Sequence, residues 1–255
     1  MTKTVLITGA ARGIGLATAK RFLKEGWQVA VVDIDATELK IAEKQLPKAL
    51  IIHGDVSDPF QVTDFMNRIK SEFGRLDALV NNAGVADFGP IEETTFERWR
   101  RVMATNLDGV FLVSQAAIPL LKQHSDGDGG AIVNIASISG LRGSTLRVAY
   151  GTSKAAVNQL TLQQAAELGE YKIRCNSIAP GPVRTKLAMA VHSQEIIDAY
   201  HDALPLNRYG SEDEIANAIW FLCSTEASYM TGQLISVDGG FQGMGIGLPA
   251  LRSKS

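Results

Sequence analysis

The sequence predicts a doubly wound α/β domain, with one seven-stranded parallel sheet and helices on both faces, filling residues 1–255. Three observations carry this expectation. Short β-branched apolar runs alternate with helical-period segments along the whole chain. The first run passes through a glycine-rich turn into a helix and then a second run, a βαβ unit within about 33 residues. Residues with chemical character gather at the ends of the runs or in the helices beside them, where such a sheet holds ligands. No linker or second composition regime appears, so a single domain is expected.

Residues 4–8 form the first strand. Gly9 permits the tight turn that follows. Gly13 and Gly15 let backbone approach a pyrophosphate and let the helix pack on the strand. That helix runs through Leu16, Ala19, Phe22 and Leu23 to Gly26, and its start offers free N–H groups and partial positive charge to phosphate. Three residues separate the first two glycines, not the commoner one, so the meaning rests on the strand–turn–helix context. Asp33 ends the second strand, 18 residues beyond Gly15, placed to accept from both hydroxyls of an adenosine ribose. A 2′-phosphate at about 4 Å from it would cost roughly 1 kcal/mol per charge in water and about 4 at an effective dielectric near 20. Asp33 therefore argues for NAD over NADP. Arg12 argues the other way, because a guanidinium can meet that phosphate, and Asp33 is given the greater weight.

Residues 50–55 read as the third strand, with Asp55 and Val56 at the end where an adenine ring is expected. Asp58 and Pro59 start a helix. Residues 76–80 form the fourth strand and lead into Asn81, Asn82, Ala83 and Gly84, whose amides can tie neighbouring strands together. Residues 96–121 read as one long helix with Trp99, Val102, Met103, Val110, Phe111 and Val113 facing inward. Asn106 breaks that apolar pattern and must find partners, either helix backbone, which it would distort, or a water. A polar loop at 125–130 precedes the fifth strand, which opens into Ser137. A helix from Tyr150 to Leu168 follows, then a sixth strand at 173–179 ending in Pro180, Gly181, Pro182, Val183, Arg184 and Thr185. Residues 187–204 read as a mobile amphipathic flap with His192 and His201 in solvent. Ser211 and Glu214 form a capping box for the helix of 215–224. Residues 234–237 are the last strand, and the tail at 241–255 carries no clear pattern.

The chemistry centres on Tyr150 and Lys154, four residues apart and so on one helical face. A free tyrosine ionises near pH ~10. An ammonium within roughly 4–6 Å favours the phenolate. A drop of roughly 2–3 units needs about 3–4 kcal/mol, which one desolvated cation with help from a second can supply. Tyr150 could then exchange a proton near neutral pH. Ser137, at a strand end, falls within reach of that face.

The formal net charge of −2, with scattered Lys and Arg, excludes a polyanion-binding surface, so no nucleic-acid partner is expected. Cys175 and Cys223 fit buried free thiols in a reducing compartment. No basic-then-apolar leader begins the sequence, and no apolar run approaches the ~20 residues needed to span a bilayer. A cytoplasmic protein without a membrane partner is expected. No His, Cys or carboxylate cluster has ligand spacing, so no metal is expected.

Together these residues resemble the short-chain dehydrogenase/reductase family, in its single-domain Rossmann-type branch. Thr8, Gly9, Gly13, Ile14 and Gly15 match the cofactor motif, and residues 81–84 match the strand-four motif. Asn106, Ser137, Tyr150 and Lys154 match the catalytic tetrad in order and spacing. Pro180, Gly181 and Thr185 match the nicotinamide-side loop. The resemblance implies that Tyr150 transfers the proton and Lys154 lowers its pKa and bonds the nicotinamide ribose. Ser137 bonds the substrate oxygen, Asn106 holds a relay water, and Val183 and Thr185 anchor the carboxamide. It implies a homotetramer built through the helices after Leu107 and Tyr150 and through the last strand. The expected reaction is NAD-dependent oxidation of a secondary alcohol, with an NADP-dependent carbonyl or 3-oxoacyl-thioester reductase as the alternative. Ile138, Ser139, Leu141, Arg142, Leu146, Arg147 and Ala149 are candidate pocket residues. The two arginines are expected in solvent. One pointing inward would favour a polyol, sugar or hydroxy acid, and the expected substrate is polyhydroxylated or sugar-like.

Overall fold

A computed structural model describes residues 2–123 and 129–244. Seven strands form one parallel sheet: β1 (Thr4–Thr8), β2 (Gln28–Asp33), β3 (Leu50–His53), β4 (Ala78–Asn81), β5 (Ala131–Ile135), β6 (Arg174–Pro180) and β7 (Leu234–Val237). Their order is β3-β2-β1-β4-β5-β6-β7, so the winding reverses between β1 and β4 and opens a crevice at their C-terminal ends. The doubly wound, Rossmann-like prediction therefore holds. Strand ends shift by one or two residues; β3 stops at His53, short of Asp55.

Nine α-helices cover the faces among the described residues: α1 (Gly13–Lys24), α2 (Ala36–Gln45), α3 (Pro59–Phe73), α4 (Phe96–Met103), α5 (Gly109–Leu121), α6 (Val148–Leu168), α7 (Lys186–Val191), α8 (Gln194–Ala203) and α9 (Glu212–Cys223). Alternate strand residues feed two cores. Val5, Ile7, Val29 and Val31 join Phe22 of α1 and Ile215 and Ile219 of α9 on one face. Leu6, Ala30 and Val32 join Phe65 and Ile69 of α3 and Val113 of α5 on the other. Asp58 caps α3 with Pro59 in its first turn, and Ser211 and Glu214 close the predicted capping box on α9.

The expected long helix at 96–121 is not uniform. A π-helical segment, Ala104–Asp108, interrupts it at Asn106. Phe111, expected inside, is 49% exposed because the buried face runs through Val110 and Val113, and Phe111 lies about 100° around the helix from Val110. By length and hydropathy this helix is sufficient to cross a membrane, contrary to the sequence expectation. Its apolar character is spent on the sheet, where Val113, Ala117, Leu120 and Leu121 are buried. The 187–204 stretch is two helices, broken at His192 and Ser193, with Ser193 capping α8 through the Ile196 amide. The loop expected at 125–130 and the tail at 241–255 lie mostly outside the described residues.

Candidate active site

The glycine turn sits at the winding reversal. Gly9 has φ +63, and a Cβ there would lie 2.6 Å from Ala83 Cα, so β1 and the strand-four motif approach too closely for a side chain. Gly15 packs in the same way against Asn82. Gly13 differs: its φ is +61, and the nearest atom to an added Cβ is Glu212 Oε1 at 3.7 Å. Its open side faces away from the fold, beside the uncapped start of α1, where Arg12 makes no side-chain cap. An open concave turn leading to free helical N–H groups is a cradle that fits a pyrophosphate.

Asn82 Nδ2 donates to the Thr8 and Gly9 carbonyls at 3.0 and 2.8 Å, fixing the turn to β4. Asn81 donates to Ser114 and Asn134, inside a buried network that reaches Thr161 and Gln164 of α6. Asp33 Oδ2 accepts from the Ala11 amide at 2.9 Å and Oδ1 from the Asp35 amide at 3.0 Å. The carboxylate thus stands at the end of β2 beside the glycine turn. Arg12 does not stand free there. Its Nη1 lies 3.0 Å from Asp35 Oδ2 and 3.6 Å from Glu38 Oε1. The Asp55 carboxylate turns to Ser57, accepting from its amide and hydroxyl, and Val56 is buried against Gly109. Both Ser57 bonds go to Oδ1, and the Asp55 amide donates to Gln61 Oε1 at 3.0 Å, so Asp55 Oδ2 and the Val56 main chain are what remain for a ligand.

Across the crevice, Ser137 follows the end of β5 and Tyr150 and Lys154 rise from the first turns of α6. All three line one cavity of about 880 Å³, which also takes in Ile14, Asn82, Val183 and Thr185. The structure therefore brings the predicted catalytic trio together with part of the cofactor set. Ser137 Oγ accepts from the Ser139 amide at 3.1 Å, and the Ser137 side chain is near enough to the Tyr150 hydroxyl to act on its pKa. Lys154 is 3% exposed; its Nζ donates to the Ile135 carbonyl at 2.7 Å and sits 5.8 Å from the Tyr150 ring centroid. Burial alone brings its pKa from 10.5 down to about 8.

Tyr150 does not behave as the sequence argument expects. Burial raises its pKa, and the opposing influences are the Ser137 side chain and the charge of Arg147. Lys154 is not among them, so in the protein by itself desolvation outweighs the ammonium. Asn106 also departs from expectation. It is fully buried; Oδ1 accepts from the Val85 amide at 2.8 Å, and Nδ2 donates to the Val85 carbonyl and to Ser153 Oγ, each at 3.0 Å. Both amide hydrogens are committed, so a water would have to donate to Oδ1 or bond the main chain of the π segment. Val183 is buried and bridges to Gly210, while Thr185 Oγ1 caps α7 through the Ala188 amide at 3.1 Å.

The far wall holds what sequence reasoning missed. His192 and His201 are half-buried rather than solvated, packed with Tyr200 and Tyr209, and His192 Nδ1 shares a 2.9 Å hydrogen bond with the Tyr209 hydroxyl. Phe241, assigned to a patternless tail, packs 6.1 Å from Tyr200 and lines the cavity. Arg142 and Arg147 also line it instead of facing solvent. The signal for Arg147 was available: it lies three residues before Tyr150 at the start of the same helix.

Comparison with known proteins agrees with this architecture. A family model described as enoyl-(acyl carrier protein) reductase matches residues 9–242. The meso-2,3-butanediol dehydrogenase of Serratia marcescens is 39% identical over 240 residues, covering 93% of this chain and 94% of its own. The trans-4-hydroxycyclohexanecarboxylate dehydrogenase of Sinomonas cyclohexanicum is 38% identical over 248 residues, covering 93% and 92%. A short-chain type dehydrogenase/reductase from Mycobacterium ulcerans superposes with a TM-score of 0.90 at 32% identity, covering 98% of this chain and 93% of that one. The chain belongs to the short-chain dehydrogenase/reductase family of oxidoreductases acting on alcohols and ketones.

Proposed function

We propose that this chain is an NAD-dependent dehydrogenase that reversibly oxidises a secondary alcohol to its ketone, with Tyr150 as the proton carrier. The observation that carries this reading is the meeting of Ser137, Tyr150 and Lys154 on one wall of a cavity that reaches Asn82 and Ile14 at the glycine turn. When bound, a nicotinamide coenzyme supplies the hydride acceptor or donor. Gly9, Gly13, Ile14 and Gly15 would hold its pyrophosphate side, Asp55, Val56 and Asn82 its adenine side and the turn between, and Val183 and Thr185 its carboxamide.

The chain's own residues then divide the proton chemistry. Ser137 has its oxygen engaged by the Ser139 amide, which aims its hydroxyl toward Tyr150 and a substrate oxygen. Tyr150 takes the alcohol proton or returns it to the ketone. Lys154 spends one N–H on Ile135, leaving two for ribose hydroxyls. Asn106 fixes the Val85 main chain and Ser153 behind this pair.

The preference for NAD rests on Asp33, Asp35 and Glu38, which gather where an adenosine 2′-phosphate would lie, with Arg12 already shared between two of them. The second reading, an NADP-dependent carbonyl or 3-oxoacyl-thioester reductase, is favoured by that same Arg12, whose side chain is 50% exposed. The walls contributed by Phe88, Leu146, Val191, Ile196, Tyr200 and Phe241 suit a compact apolar scaffold better than the polyol suggested by sequence. A homotetramer and a cytoplasmic setting complete the proposal. The first is supported by apolar side chains left outward on α5, α6 and β7, the second by two buried thiols whose pKa values burial pushes up to about 12. Absorbance of reduced nicotinamide, followed with both coenzymes against cyclic alcohols and polyols, tests the reading. NAD is expected to exceed NADP in kcat/KM by about tenfold or more, the size of one uncompensated charge contact. An NADP preference of that size rejects the role given to Asp33.

A further inference from the structure

The two arginines of the pocket have different duties. Arg142 is committed: Nη2 donates to the Phe241 and Gln242 carbonyls at 2.7 and 3.1 Å, and Nε donates to Gln242 Oε1 at 3.2 Å. Its guanidinium also lies 4.6 Å from the Phe241 ring centroid. Arg142 therefore pins residues 241 and 242 to the cavity rim.

Arg147 has no such commitment. Among the described residues its guanidinium meets no carboxylate within 4.0 Å, and no hydrogen bond from its side chain is made. The first turn of α6 carries no acidic residue either. What Arg147 touches is aromatic. Its guanidinium lies 4.6 Å from the Phe88 centroid and 5.7 Å from that of Tyr150. The backbone beneath it is held, because Gly89 donates to the Leu146 carbonyl at 3.0 Å and Gly151 to the Arg147 carbonyl at 2.7 Å. The position of the cation is thus set by main chain and ring faces. A half-buried guanidinium stacked on aromatics recovers part of its lost hydration, and its N–H fork, bonded to no protein acceptor among the described residues, stays open to a ligand beside the apolar wall of Leu146, Val191 and Ile196.

We propose that Arg147 is the substrate-recognition cation of this pocket and that the substrate is a compact, largely apolar secondary alcohol bearing a carboxylate. The guanidinium fork takes the carboxylate while Ser137 and Tyr150 take the carbinol oxygen. The two ends lie close enough for one small molecule to touch both, since Arg147 stands beside the Tyr150 ring itself. The charge of Arg147 also reaches other groups of the cavity: His192 sits below its ordinary pKa first through burial and second through this guanidinium. This inference rests on the dehydrogenase reading for the fate of the hydroxyl, but not for the binding of the acid.

The test is calorimetry on the protein saturated with NAD, titrated with cyclohexanecarboxylate and separately with cyclohexanecarboxamide. Neither ligand has a hydroxyl to oxidise. Wild type is expected to bind the acid about tenfold or more tightly than the amide, as a charge-assisted fork contact requires. Arg147→Met is expected to bring that ratio close to one, and Arg147→Lys to restore part of it. The corresponding ratio of kcat/KM for 4-hydroxycyclohexanecarboxylate over its amide should fall with it. An acid-to-amide ratio near one in wild type, or an unchanged ratio in Arg147→Met, overturns the proposal. The NAD affinity and melting temperature of each variant separate a folding defect from lost recognition, and Arg147→Lys carries the test if Arg147→Met does not fold. Acid bound through Arg147, with no cyclic alcohol oxidised, would instead sink the dehydrogenase reading and leave this one standing.

Discussion

Lys154 keeps its ammonium where the fold penalises it. Its pKa of about 8, against 10.5 in an unfolded chain, means that the unfolded state binds more protons between those values. Stability attributable to this residue therefore rises with pH across that window, and the penalty is fully present below pH 8, at about 3 kcal/mol. Replacing Lys154 by Met removes the buried charge but leaves the Ile135 carbonyl unpartnered, which costs about 1–2 kcal/mol. The variant is expected to gain about 1–2 kcal/mol at pH 7, to lose that advantage by pH 10, and to lose turnover. Denaturant unfolding at the two pH values measures this. An equal or lower stability at pH 7 contradicts the burial argument. The spacing of Tyr150 and Lys154 was plain in the sequence. The balance between desolvation and attraction was not, because it depends on how deeply α6 sinks against β5.

At the scale of elements, the interruption of the 96–121 helix does the placing. Hydropathic period reports which side chains prefer the core, and it read this stretch as a continuous helix. It is blind to an amide that bonds main chain from another loop, and Asn106 holds Val85 in that way. Reading by period alone also put Phe111 inside beside Val110, and it merged α7 with α8 although Ser193 is a helix-capping residue. Asn106→Ala would leave the Val85 amide, the Val85 carbonyl and Ser153 without this partner. A loss of about 2–4 kcal/mol is expected, along with reduced kcat. Thermal unfolding measures the first, and a stability within 0.5 kcal/mol of wild type would deny the side chain its structural role (about the scatter of an inert surface change). The cofactor side was more legible, because Gly9, Gly13 and Asp33 are forced by main-chain geometry that sequence spacing records directly.

For the whole molecule, the doubly wound parallel sheet of seven strands was legible because apolar runs, glycines and strand-end polar residues all implied it, while the order β3-β2-β1-β4-β5-β6-β7 came from the structure. What covers the outer helices was not, since an outward apolar residue looks the same in sequence as an inward one. Phe111 on α5, Leu162 on α6 and Leu234 on β7 are 49%, 47% and 38% exposed, on the three elements through which a tetramer is proposed. Phe111→Glu combined with Leu162→Glu is expected to lower the mass seen by light scattering from four chains to two or one. An unchanged mass places the interface elsewhere, and a monomeric wild type removes it. These surfaces, the sheet edge and the cradle all serve a single chemical event at the phenol. The most direct test is Tyr150→Phe, assayed for both turnover and NAD affinity. The account predicts turnover lower by a factor of about 10³ or more, consistent with loss of a proton-transfer group, and NAD binding kept within about threefold. Turnover close to wild type would contradict it.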